Sequence, residues 1–168
     1  WDHKSLNVLE CYGMAAYKVA SADLTNLPLI NSILNTKKPI ICSTGMSTEQ
    51  EISIVAERLR KDSFGHIFLH CNSTYPAPFK DIHLRYMSRL AEITDNFVGY
   101  SGHERGISVS IAAAALGAKV IEKHFTIDKD MLGNDHKVSL LPSEFSAMVK
   151  GIREVETALG TDSSRSMS

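Results

Sequence analysis

Five short apolar runs punctuate the chain: Ala16–Ala20, Pro39–Ser43, His66–Cys71, Phe97–Tyr100 and Lys119–Phe125. Each has the length and side-chain character of a buried strand. Between them the apolar positions recur at helical spacing. Lys4–Tyr12 puts Leu6 and Leu9 on one face, with Gly13 placed to end the helix. Leu27, Ile30, Ile33 and Leu34 form a stripe behind a Thr25 or Asn26 cap, and Pro28 fits only in the first turn of that helix. Ile52, Val55, Ala56 and Leu59 line the next helix, which starts at Ser47 paired with Gln50 or at Thr48 paired with Glu51. Further helices are expected over Ile82–Glu92, Ile107–Leu116 and Pro142–Leu159, the last with Glu144 in its first turn and Gly160 just beyond its end. Asn72–Lys80 and Asp128–Lys137 read as polar loops. No stretch reads as a hairpin, so consecutive strands joined by helices should run parallel.

Such an alternation suits either a doubly wound open sheet or part of a (β/α)8 barrel. No strand is followed by a GxGxxG or GxxxxGK[ST] loop. Polar residues instead end all five strands: Lys18 and Ser21, Ser43, His70 and Asn72, Ser101 and His103, Glu122 and His124. An open sheet concentrates its site where strand order reverses, whereas a barrel draws on many strand ends around one mouth. The pattern therefore favours the barrel. A whole barrel needs eight strands and about 250 residues. The chain then holds about strands 4 to 8, with residues 1–160 as the C-terminal portion of the barrel and the small polar tail 161–168 as the start of a linker.

Composition narrows the setting. The chain is 43% hydrophobic and 22% charged, and its 18 basic residues are balanced by 19 acidic ones, for a formal net charge of -1. Nothing in it resembles a basic nucleic-acid surface. No apolar run approaches the roughly 18 residues that would span a bilayer, and the first residues lack the form of a signal peptide. Cys11, Cys42 and Cys71 are odd in number and widely spaced, and read as buried free thiols in a reducing compartment. A cytoplasmic site of action is expected.

Alternation along a strand sorts the polar residues. Glu122 and His124 share a face, and Lys123 takes the other. Ser101 and His103 share parity across a turn. Lys18 sits mid-strand, where a lysine needs a partner. It points either toward an anion in the barrel mouth or into a carboxylate ion pair. Ser21, Ser43 and Ser101 serve equally as hydroxyl donors to that anion or as helix caps. His103 and His124, brought together by parallel neighbouring strands, read either as two metal ligands or as one hydrogen-bonded and one acid–base histidine. His70 lies in an apolar strand and is expected to point into the mouth, and Met46 is expected to line it. His3, His66 and His83 read as ordinary surface or helix-end residues.

The strings YKVASADLTNLPLI, ICSTGMS, LHCNSTYPAP, GYSGHERGI, ALGAKVIEKHFTID and GNDHKVSL occur in this order. Together they resemble the sialic acid synthase (N-acetylneuraminate synthase) family over residues 1–160. The resemblance implies a (β/α)8 barrel, a linker and a small C-terminal antifreeze-like domain. It implies condensation of phosphoenolpyruvate with N-acetylmannosamine or its 6-phosphate, releasing phosphate and forming a sialic acid. Legionaminic or pseudaminic acid synthases are the runner-up within the same chemistry.

By the same resemblance, Lys18, Ser21, Ser43 and Ser101 hold phosphoenolpyruvate, and His103 and His124 hold a divalent metal, Mn2+ or Mg2+. Ser73, Tyr75, Glu122 and Asp135 face the sugar. Lys18, Glu122, His103 and His124 are the implied catalytic set. Asn72-Ser73-Thr74 departs from the family's threonine-asparagine form of that loop, leaving Ser73 where many bacterial members have asparagine. SGHERG is nearer the SGHE form of animal enzymes and some bacterial relatives than the SDHT form. Trp1-Asp2 resembles the end of the third barrel strand. The family's early glutamate and lysine, and the arginine donated across a homodimer by the C-terminal domain, have no counterpart in these residues. The segment alone is therefore expected to be inactive. A pyruvate-lyase aldolase using a Schiff-base lysine, and an incomplete non-catalytic barrel fragment, are the readings from other classes.

Overall fold

All five expected strands form, and each pairs in parallel with its neighbour in sequence. They are β1 Tyr17–Val19, β2 Ile40–Ser43, β3 His66–Cys71, β4 Val98–Gly102 and β5 Ile121–Lys123. Among the described residues six α-helices accompany them: α1 His3–Glu10, α2 Leu27–Asn35, α3 Glu49–Asp62, α4 Tyr86–Thr94, α5 Ser108–Ala115 and α6 Pro142–Leu159. This computed structural model describes residues 2–161. Trp1 of the expected third-strand end, and residues 162–168 of the expected linker, lie outside the described residues. The order β1-β2-β3-β4-β5 never reverses, as a doubly wound sheet requires it to do. The strands form an open arc of a (β/α)8 barrel.

Register fixes what each face does. The rows through Tyr17 and Ile40, Val19 and Cys42, and Tyr100 and Ile121 turn toward the helices. Tyr17, Val19, Ile40, Cys42, Phe68, Val98 and Tyr100 are buried there in one cluster with Ile30, Ile33, Ile52, Val55, Leu59 and Leu90. Full burial of each such side chain contributes about 1.5–3 kcal/mol. The hydrophobic core thus lies between sheet and helices. The opposite rows carry Lys18 and Ile41, Ser43 and Leu69, and Ser101 and Glu122 on the inner face.

Local chemistry settles the helix starts. Thr48 and Glu51 form the reciprocal cap of α3, each side chain bonding the other's backbone N–H, so Ser47 is not the cap. Asn26 caps α2 by accepting from the Leu29 N–H. Pro142 opens α6, where the Glu144 carboxylate accepts from the Leu141 N–H at 2.8 Å. The fourth helix begins at Tyr86, not Ile82. His83 adopts a left-handed φ of 50°, which breaks any helix through it, and Phe79–Asp81 forms a 3-10 turn instead. β5 is shorter than the run Lys119–Phe125, because Phe125 leaves the sheet and makes an isolated bridge with Leu140.

Cys42 and Cys71 are buried free thiols, with Cys42 pushed up to about 12 by burial. Cys11 is a free thiol too, but it follows α1 and is exposed, contrary to the expectation of burial. Among the described residues no helix is long and apolar enough to cross a membrane.

Candidate active site

The C-terminal strand ends open onto one cleft of about 490 Å³, lined by all ten residues to which the family resemblance gives a site role: Lys18, Ser21, Ser43, Ser73, Tyr75, Ser101, His103, Glu122, His124 and Asp135. Parallel pairing explains the convergence, since all five strands deliver their C-terminal ends to the same edge. Met46 also lines the cleft, as expected. Ala20 and Ala22 line it without having been anticipated; small apolar side chains carry no chemical signature in a sequence.

One wall is basic and hydroxylic. Lys18 stands mid-β1 with its Nζ 3.1 Å from Glu122 Oε2 on β5, so the ion-pair alternative for this lysine is realised, inside the cleft. Ser21 follows β1 on a 3-10 turn, and its hydroxyl accepts from the Gly45 N–H at 3.1 Å. A β-carbon at Gly45 would stand 2.5 Å from Ser73 Oγ and 3.0 Å from the Cys71 carbonyl, so the turn after β2 needs glycine to approach the loop after β3. Ser43 ends β2, and its buried Oγ has no hydrogen-bond partner among the described residues. A buried, unpartnered hydroxyl in a cleft beside a lysine suits an anionic ligand.

The other wall is imidazole and phenol. His103 lies just past β4 and His124 just past β5, with ring centroids 5.1 Å apart and planes at 79°. His103 Nδ1 is 2.6 Å from the Asn72 carbonyl, a contact that requires the proton on Nδ1 and leaves the Nε2 lone pair free to accept. That lone pair accepts from the Tyr75 hydroxyl at 3.0 Å, while the Tyr75 ring stacks on His103 at 4.1 Å. Asp135 Oδ2 stands 3.7 Å from His124 Nδ1. Burial pushes His103 below the usual histidine range against the opposing pull of the Asn72 carbonyl. Burial, and then the neighbouring His103, do the same to His124. Burial raises the Tyr75 phenol, helped by Cys71, Asp135 and Glu122.

Two neutral imidazoles, one oriented by a backbone carbonyl, are fitting donors for a divalent first-row metal. Among the described residues no group of three or more His, Cys, Asp and Glu converges to hold an ion. Were a metal held there, the pair would supply only part of its coordination shell, leaving positions for oxygen from substrate or water.

Two expectations need correcting or extending. His70 does not enter the mouth: it pairs in register with Tyr100 on the helix-facing side, and its Nε2 lies 2.6 Å from the Ile82 carbonyl. Lys123 does take the face opposite Glu122, but its partner was not foreseen. It forms a fully buried ion pair with Glu104 at 2.7 Å. The signal available in the sequence was a lysine in a strand with no solvated face, which demands an acid somewhere.

Comparison with known proteins shows the family of the chain. The NeuB family profile matches residues 1–164. The N,N'-diacetyllegionaminic acid synthase of Campylobacter jejuni is 43% identical over 163 residues, covering 95% of this chain and 49% of that protein. The human N-acetylneuraminate-9-phosphate synthase is 37% identical over 161 residues, covering 95% and 45%. The crystal structure of the N-acetylneuraminic acid (sialic acid) synthetase from Leptospira borgpetersenii, in complex with citrate, superposes with a TM-score of 0.92 at 31% identity, covering 99% of this chain and 59% of that one. The chain spans about half the length of the curated relatives it matches. With the family profile, the sequence relatives and the superposed barrel arc in agreement, the chain belongs to the NeuB family.

Proposed function

We propose that this chain supplies much of the catalytic mouth of a synthase that condenses phosphoenolpyruvate with an N-acylated amino sugar, forming a nonulosonic acid and releasing phosphate. The observation that carries this reading is the meeting of all ten candidate residues in one cleft. N-acetylmannosamine or its 6-phosphate, giving a sialic acid, is the first choice of sugar. A precursor of the legionaminic or pseudaminic type is the second, favoured by the 43% identity to a protein named N,N'-diacetyllegionaminic acid synthase.

The roles follow from position. Lys18 and the hydroxyls of Ser21, Ser43 and Ser101 hold the phosphate and carboxylate of phosphoenolpyruvate and steady their charge. Ser73, Tyr75, Glu122 and Asp135 orient the open-chain sugar on the other wall. His103 and His124 would hold a divalent cation, Mn2+ or Mg2+, which when bound supplies Lewis-acid polarisation of the sugar's aldehyde oxygen. Asn72 keeps the His103 proton on Nδ1, so that Nε2 is the acceptor, and a bound cation would take the place of the Tyr75 hydroxyl on that nitrogen. Carbon 3 of phosphoenolpyruvate bonds to the aldehyde carbon, whose oxygen becomes a hydroxyl. Water adds at carbon 2, and the tetrahedral intermediate expels phosphate by C–O cleavage. No covalent bond to Lys18 is required, unlike in a Schiff-base aldolase.

In the whole protein, residues 1–160 would form the C-terminal portion of the barrel and residues 161–168 would begin a linker to a further domain. The working form would be a cytoplasmic homodimer, and the isolated segment would be inactive. Phosphate release and product mass, measured on the whole protein with phosphoenolpyruvate and a panel of N-acyl amino sugars, test the reaction and identify the sugar. An absence of turnover with every sugar would favour a non-catalytic barrel fragment.

A further inference from the structure

Behind the cleft, on the helix-facing side of β4 and β5, sits a closed polar network. Glu104 and Lys123 have fully buried side chains, with Lys123 Nζ 2.7 Å from Glu104 Oε1. Lys123 also donates to the Glu104 backbone carbonyl, and the buried Tyr100 hydroxyl donates to Glu104 Oε2 at 2.6 Å. Neither Glu104 nor Lys123 lines the cleft. Each is nevertheless bonded in sequence to one of the paired histidines: Glu104 follows His103, and Lys123 precedes His124.

The register shows what the network does there. Gly102 opposite Lys123 is the last paired rung between β4 and β5. Both histidines lie one residue beyond it, where no rung between these strands sets their spacing. The Glu104 carboxylate folds back across Gly102 to reach Lys123. A β-carbon at Gly102 would stand 2.8 and 2.9 Å from the two carboxylate oxygens and 2.9 Å from the Tyr100 ring, so this fold-back requires glycine. Four residues are thus fitted to one another at the point where the ladder ends.

Stability is a weak reason for such a pair. Taking an ammonium and a carboxylate out of water costs about as much as their attraction returns, and an apolar pair of similar volume often does as well. We infer that the Glu104–Lys123 pair is a positioning device that sets the separation and relative tilt of the His103 and His124 imidazoles. The network ties together the two backbone segments that carry the rings, as a rung would. The metal half of the test below rests on the proposed metal role of these histidines; the ring-proximity half does not.

The test replaces both charges together, Glu104→Leu with Lys123→Met in the whole protein, so that no lone charge is left buried. The double variant should remain cooperatively folded by circular dichroism and thermal melting. It should lose the nuclear Overhauser contact between the His103 and His124 ring protons, read in the metal-free, histidine-labelled protein. Mn2+, titrated without substrates, should bind at least about tenfold more weakly, the loss typical of outer-shell partners. A folded double variant that keeps both the ring contact and the wild-type Mn2+ affinity overturns the inference. If the double variant does not fold, Tyr100→Phe decides instead, since it removes one bond to Glu104 without changing charge. Measurably weaker Mn2+ binding and a weakened ring contact are expected from it, and unchanged values overturn the inference. A wild-type protein that binds no Mn2+, yet shows a ring contact that the double variant loses, would uphold the positioning role and defeat the metal assignment.

Discussion

Lys18 and Glu122 stand on the two edge strands of the sheet, β1 and β5, and their side chains meet across its inner face at 3.1 Å. Their side chains are 32% and 42% exposed, and an ion pair that open to water contributes at most about 1 kcal/mol. A phosphate and carboxylate arriving on one molecule would outbid a single carboxylate for Lys18. Glu122 would then be released toward the sugar. Lys18→Ala should raise KM for phosphoenolpyruvate by roughly tenfold to a hundredfold, the worth of one charge-assisted hydrogen bond. Preference among amino sugars should not change. Initial-rate kinetics in both substrates check this, and normal phosphoenolpyruvate kinetics with an altered sugar preference would reverse the two roles.

The histidine pair makes a separate prediction. Neither His103 nor His124 belongs to the apolar cluster between sheet and helices. Replacing either by Ala should therefore leave melting largely unchanged while abolishing Mn2+ binding and metal-dependent turnover. Metal analysis with activity titration reads both quantities. Unaltered metal content and rate in both variants would sink the assignment.

Strand positions were legible because in a parallel sheet covered on its outer face by helices each strand is a short apolar run bounded by polar turns. The residues that line the cleft were legible for a related reason: Ser43, Ser101, His103, Glu122 and His124 interrupt or end those runs where an apolar side chain would otherwise serve. The face that His70 takes depends on register with Tyr100, which no local pattern in HIFLHC encodes. The start of α4 is not legible in the apolar pattern, because the left-handed turn at His83 is a backbone choice, made while the Ile82 carbonyl faces His70. Glu104 and Lys123 are distant in sequence and become partners only when β4 and β5 lie side by side.

The location of His70 gives a pH dependence of stability. Burial pushes its pKa below the ordinary 6.5, although its bond to the Ile82 carbonyl pulls the other way. A base with a lowered folded-state value is protonated first in the unfolded chain. Its contribution is thus complete above about pH 6.5 and is lost as pH falls through the lowered folded value. Denaturant midpoints measured between pH 7.5 and 5 should fall less for His70→Gln than for the wild type, relative to their values at the upper end. Parallel curves would show that His70 does not titrate differently on folding.

Thr48 offers a test of local structure that leaves the cleft untouched. Its hydroxyl accepts from the Glu51 N–H, while the Glu51 carboxylate accepts from the Thr48 N–H at 2.8 Å. Thr48→Ala removes half of that reciprocal cap and should cost about 1 kcal/mol of stability. Thermal melting should show the loss with kinetic constants unchanged. A melting temperature equal to that of the wild type would mean that Ser47 can take over the cap.

Phosphate release is the most direct measurement of the proposed chemistry. The whole protein, supplied with Mn2+, phosphoenolpyruvate and a panel of N-acyl amino sugars, should release one phosphate for each new acid whose mass is the sum of the sugar and a pyruvate unit. Residues 1–168 alone should release none, because the chain spans only about half the length of its curated relatives. Release of phosphate without a carbon–carbon bonded product, or full turnover by residues 1–168 alone, would contradict the synthase assignment or the division of the barrel on which it stands.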